Sequence, residues 1–154
     1  MTQGIKAALE HLENAIQDIN PKSEVDSGFV AIRRGDGYTV DLNERSFQNR
    51  FFELSIAIFP QDDGATGLSG RKRCRIDCRV RYEIPADYGY LSRMIGEDVS
   101  DLIETLKNPD YDLVNTGILS VIPIQPTFES IADISGERVA HILTVPFDLL
   151  FLES

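Results

Sequence analysis

The chain is poor in the residues that carry most small-protein chemistry. It has 154 residues but only two cysteines, Cys74 and Cys78, and two histidines, His11 and His141. Two cysteines cannot build a disulfide framework or a four-thiolate metal set. The histidines lie outside any H-x-x-x-H or H-E-x-x-H spacing, so nothing points to zinc. There is no G-x-S-x-G elbow and no phosphate-loop signature. "GATGLSG" at 64–70 is glycine-rich, but it lacks the lysine and the strand-to-helix setting of such a loop. No apolar run reaches the ~18 residues of a membrane span. The N-terminal stretch "MTQGIKAALEHLENAIQDIN" is too acidic and interrupted for a signal peptide, so a reducing cytoplasm is the expected compartment. Positive charge is scarce as well. Fifteen Lys and Arg stand against 25 Asp and Glu, a formal net charge of −10, which argues against wholesale nucleic-acid binding.

The patterning that is present predicts a single α+β domain over residues 1–154, long enough for a real core. Ile5, Leu9, Leu12, Ile16 and Ile19 recur at helical spacing, with Thr2 placed to cap and Pro21 just beyond, which predicts a helix over 4–19. "GFVAIRRGDGYTV" reads as two short strands around an Asp36-Gly37 turn. "FQNRFFELSIAIFP" reads as a strand with Phe52, Leu54, Ile56 and Ile58 on one face and Phe51, Glu53 and Ser55 on the other. A loop joins it to "GRKRCRIDCRVRYEIP", making a long hairpin that ends at Pro85. A second helix is expected from about Tyr88 to Lys107. Its buried stripe is Tyr90, Leu91, Met94, Ile95, Val99, Leu102, Ile103 and Leu106, with Gly96 a small cost and "NPDYDL" its stop. "TGILSVIPIQPTF" and "RVAHILTVPFDLLFLE" close the chain as strand regions separated by "DISGE". Pro123, Pro126 and Pro146 imply edges, bulges or breaks there. The expected architecture is therefore a mostly antiparallel sheet with a long β-hairpin, packed by two amphipathic helices.

Six of the fifteen basic residues fall between Arg71 and Arg81. Strand alternation puts Cys74, Ile76, Cys78, Val80 and Tyr82 on one face and Arg71, Arg73, Arg75, Asp77, Arg79 and Arg81 on the other. The two cysteines are then roughly 13 Å apart, beyond the ~7 Å between Cα atoms that a disulfide spans. Both read as small core hydrophobes. The arginine row lacks interleaved aromatics for base stacking, is interrupted by Asp77, and can be faced by Glu53 from the paired strand. Outside 71–81 the chain keeps 9 basic and 24 acidic residues, a formal −15. A basic stripe on so acidic a body suits docking against a protein better than gripping free DNA. A merely solvated strand face is the plain alternative. Glu97, Asp98, Asp101 and Glu104 are expected to give the second helix an acidic outer side. Head-to-tail association of that side with the arginine strand of a neighbour would close a ring. Scattered carboxylates such as Asp62, Asp63, Asp110, Asp112, Asp133 and Glu137 form no visible acid–base pair, and the sequence points away from an enzyme.

An amphipathic first helix, the strand "FFELSIAIF", a loop, the strand "CRIDCRVRYEIP", a helix opening near "YLSRMIGEDV" and a closing "RVAHILTVPFDLLFLE" follow one another over nearly the whole chain. In element order, size and strand character this resembles the tail terminator proteins of long-tailed bacteriophages, of the lambda minor tail protein U type. The resemblance implies a structural virion protein at the head-proximal end of the tail, assembled in the host cytoplasm. It implies a homohexameric ring whose partners are the tail tube protein and the head–neck connector or stopper. Such a ring ends tube polymerisation and lets DNA pass through its lumen without gripping it. It implies no catalytic residue, no cofactor and no metal. The proline-bearing segment 117–137 and the basic strand have no matching family position. Other readings are a head-closure or tail-completion protein, a small nucleic-acid-binding module using Arg71–Arg81, and a small enzyme.

Overall fold

A computed structural model describes residues 4–19, 29–31, 50–62, 70–82, 88–107, 117–132 and 139–152. Among these residues the chain runs α1 (Ile5–Gln17), β1 (Val30–Ala31), β2 (Phe51–Asp62), β3 (Arg71–Tyr82), α2 (Tyr88–Leu106), β4 (Ile118–Pro123), β5 (Thr127–Ala132) and β6 (Val139–Leu152). The fold is α+β. Thr2, the Asp36-Gly37 turn, the loop tip 63–69, Pro85, "NPDYDL" and "DISGE" fall outside the described residues.

The strands form one sheet in the order β1-β2-β3-β6-β4, with β5 also pairing β6. All pairs are antiparallel except β1–β2, which is parallel. β1 and β2 therefore cannot be the two arms of one hairpin. β2 and β3 are the two arms of the long hairpin, paired from Phe51↔Arg81 to Asp62↔Lys72.

α1 starts from Gly4 without a side-chain cap, and Ala8, Leu12 and Ile16 form its fully buried row. That i, i+4 row makes the helix lie flat on the sheet. From α2, Met94, Leu102 and Leu106 are buried, and Ile95, Val99 and Ile103 pack around them. Opposite them the sheet presents Phe52, Cys74, Ile76, Cys78, Val80, Tyr82, Leu143, Val145, Phe147, Leu149 and Phe151. Both helices thus cover one face, and period-two alternation fills that face from β3 and β6. Each fully buried Leu, Val or Phe there contributes on the order of 1.5–3 kcal/mol relative to exposure.

The prolines act differently on different strands. β4 and β5 follow each other along one edge of β6. Between Pro123↔Phe147 and Thr127↔Thr144, three residues (124–126) stand opposite two (145–146), so this edge is a bulged strand. β6, by contrast, is interior and continuous for 14 residues despite Pro146. Ile124 N–H donates to Pro146 C=O at 2.8 Å, so the missing N–H of Pro146 also faces the bulge. The β3–β6 ladder loses nothing to it. The expectation of a broken closing strand is corrected: the break lies in its edge partner.

Candidate interaction surface

The face of the sheet turned away from the helices carries the arginine row, as alternation requires. Arg71, Arg73, Arg75, Asp77, Arg79 and Arg81 are each at least partly exposed, whereas Cys74, Ile76, Cys78, Val80 and Tyr82 are buried. Neighbouring strands supply counter-charges. Arg75 Nε donates to Asp148 Oδ1 at 2.9 Å, and Arg79 Nη1 lies 3.7 Å from Glu53 Oε1. Lys72 pairs with Asp62 across the hairpin. Each pair joins residues in register or one step from it. The Arg75 and Arg79 pairs are cross-strand ion pairs on the open face, whereas Lys72, in register with Phe151, lies on the helix side of the sheet; each is individually worth little.

The strand partners define rows across this face. Ile58, Arg75, Asp148 and Ile122 stand in one row over β2, β3, β6 and β4. Gln61, Arg73, Leu150 and Ser120 form the next, and Glu53, Arg79, Thr144 and Thr127 another. Ile58 belongs here because of a bulge. Ile56 pairs Ile76, but Ile58 pairs Arg75, so Ala57 is the extra residue and the side chains after it change face. The expectation that Ile58 shares the buried face with Ile56 is corrected by that shift. Ile58 is 47% exposed and the following Phe59 75%. At the far edge Leu119, Ile122 and Phe128 are exposed too, with Ile122 at 57%. Of the phenylalanines on β2 and β6, Phe51, Phe52, Phe147 and Phe151 are buried and Phe59 is on the surface.

The acidic outer side of α2 is also corrected. Glu104 is exposed and Glu97 half-buried, but Asp98 and Asp101 are buried within the chain. Asp98 accepts from Arg50 Nε at 2.8 Å and from Tyr82 Oη–H at 2.6 Å through the same oxygen, Oδ2. Arg50 is 0% exposed and Asp98 1%, so this is an ion pair removed from water. Burial raises the Asp98 pKa, opposed by the hydrogen bonds from Arg50 and Tyr82. Burial and the adjacent Asp98 push the Tyr82 phenol up. Arg50 sits at φ 69°, a left-handed backbone unusual for a non-glycine residue. Its N–H donates to Arg81 C=O at 2.9 Å, and its guanidinium lies over the Phe29 ring at 5.9 Å. The cluster thus ties α2, the end of β3 and the entry to β2 together. One signal for it was in the sequence: Asp98 is four residues from both Met94 and Leu102, inside the apolar row rather than opposite it.

The remaining chemistry-bearing residues are placed as follows. Cys74 and Cys78 are free thiols, pushed up by burial to about 11 and about 12. His141 is buried, with burial lowering its pKa, and stacks on Phe128 with centroids 5.6 Å apart. His11 is half-buried on α1. Among the described residues no three His, Cys, Asp or Glu side chains converge as a metal site. No protein-family model matches the chain, and no curated protein matches it either.

Proposed function

We propose that the chain is the subunit of a closed homo-oligomeric ring of the tail-terminator type. It would cap the tail tube, end its polymerisation and join the tail to the head–neck connector. The observation that carries this reading is the position of the exposed apolar side chains. Ile58 and Phe59 lie at the end of the long hairpin, and Leu119, Ile122 and Phe128 lie on the β4–β5 edge. Three strand spacings, roughly 14 Å, separate β2 from β4, so the two patches flank opposite sides of one subunit. Two different patches on opposite sides support head-to-tail contacts, which close into a ring when the rotation per subunit allows. Apolar edges take over the role expected of an acidic helix meeting the arginine strand. Asp98 and Asp101 are buried, and Arg75 and Arg79 have carboxylate partners in their own chain. A net charge of −10 suits a lumen that passes DNA without holding it.

The test is native mass spectrometry of the full chain alongside a tube-assembly reaction. A six-subunit species is expected, together with tubes that overgrow when the chain is omitted. Phe59→Asp should leave the fold intact and abolish the hexamer. Tubes of unchanged length without the chain would sink the assignment.

A further inference from the structure

The rows of the outer face carry a second consequence, independent of the ring. The row Ile58–Arg75–Asp148–Ile122 reads apolar, positive, negative, apolar. A two-fold axis laid along the strands, midway between β3 and β6, brings a second copy face to face with this row reversed. Ile58 then meets the second copy's Ile122, and Arg75 meets its Asp148. The two intrachain Arg75–Asp148 pairs become a square of alternating charges, in which each guanidinium has two carboxylates. The neighbouring rows agree. Arg73 comes to lie on the second copy's Leu150, and Arg79 on its Thr144, since these are their strand partners across the axis. Arginine stems cover such apolar side chains well. The other in-plane two-fold axes fail. One perpendicular to the strands through this row sets Arg75 on Arg75, and one between Arg75 and Asp77 sets Arg73 on Arg79. Like charges face to face would exclude both.

We infer that the outer face is self-complementary and pairs two copies of the chain into a two-fold dimer, sheet on sheet. Aligned sheets pack with their strands about 30° apart, which an axis along the mean strand direction permits. The open part from Arg71 to Arg79 is about 30 Å long and four strands wide. That is on the order of 500–600 Å² per copy, at the small end for a specific interface. An interface of that size makes the pairing weak and reversible. It covers Ile58 and Ile122, which the ring contact also uses, so pair and ring exclude each other. A two-fold pair closes on itself and would shield the edge patches of subunits not yet taken up into a ring.

Cross-linking separates the two assemblies. In the Ile58→Cys/Ile122→Cys double variant, the new thiols within one chain stand roughly 14 Å apart and cannot bridge each other. The native Cys74 and Cys78 are buried and stay out of the reaction. Mild oxidation of the full chain should give a covalent dimer and nothing longer, and neither single variant should cross-link. A ladder of higher species would overturn the two-fold pairing and leave the ring standing. A covalent dimer without any hexamer in native mass spectra would do the reverse. Sedimentation equilibrium supplies the second arm. Asp148→Arg should weaken dimerisation by about tenfold or more, and adding Arg75→Asp should restore it, because the swap keeps every opposite-charge contact. Wild-type protein that stays monomeric at concentrations of about 100 µM, or a swap that fails to rescue, would overturn the proposal.

Discussion

The Arg50–Asp98–Tyr82 cluster gives the sharpest stability prediction, because its parts are out of water and belong to different elements. Asp98→Ala takes the carboxylate away from a guanidinium that is 0% exposed, and the acceptor away from the Tyr82 hydroxyl. Breaking a buried ion pair by deleting one partner costs about 3–5 kcal/mol. The orphaned phenol adds to that range, whereas the Phe29 ring beneath Arg50 offsets about 0.5–2 kcal/mol. For a domain of this size, a loss of ~3–5 kcal/mol lowers Tm on the order of 10 °C and removes a third or more of a typical total stability. Arg50→Met should behave differently, since a carboxyl can take up a proton and a guanidinium cannot. The variant loses the hydrogen bond that holds the Asp98 pKa down, so that pKa, already raised by burial, rises further. A folded pKa above the unfolded value gives stability that is present at low pH and lost as pH rises through the folded pKa. The Arg50→Met deficit relative to wild type should therefore shrink on going from about pH 8 to about pH 5. Replacing both partners, Arg50→Met with Asp98→Leu, should recover most of the loss. Urea melts of the four proteins at both pH values measure all of this. An Asp98→Ala cost under about 1 kcal/mol, or an Arg50→Met deficit that grows on acidification, would refute the argument.

Other outcomes follow from the same geometry. Cys74 and Cys78 should stay unmodified by a thiol reagent at neutral pH in the folded protein, given thiols pushed up to about 11 and about 12, and both should react once it is unfolded. Phe147→Ala, at a fully buried position of β6, should cost about 3–5 kcal/mol in a denaturant melt. Phe59→Asp, at an exposed position, should shift the melt by less than about 0.5 kcal/mol when both proteins are compared as monomers. Binding to duplex DNA should weaken with a log–log salt slope no steeper than about −2, against roughly −4.5 if five arginines each met a phosphate.

Much of this fold was legible because β3 and β6 obey a strict two-residue period. Cys74, Ile76, Cys78 and Val80 could be assigned to the core from alternation alone, and their strand buries them as expected. α1 was legible for the parallel reason, with Leu12 and Ile16 on a clean i, i+4 row. Ile58 could not be placed this way. Its face depends on one extra residue, Ala57, and a bulge is a property of pairing that a single strand's sequence does not display. The effect of Pro146 is not set by the strand that carries it. What decided the matter was the direction in which its missing N–H faces, and that depends on the partner strand.

The candidate surface was legible in composition but only partly in partnership: Glu53 opposite the stripe could be read from the hairpin, Asp148 could not. Counting charges finds the arginines on β3 and the carboxylates on α2, and it suggests that one meets the other. Register says otherwise. Asp148 is far along the chain from Arg75 yet directly opposite it, and Glu53 is opposite Arg79. The stripe therefore meets its first counter-charges inside its own sheet, and the face it offers outward is mixed rather than basic. Asp98, for its part, turns inward because helical period outranks side-chain polarity once Arg50 and Tyr82 are there to receive the carboxylate. A mixed face discriminates by pattern and not by net charge. A like-patterned face can therefore satisfy it where a polyanion cannot, and a second copy of the chain carries that pattern.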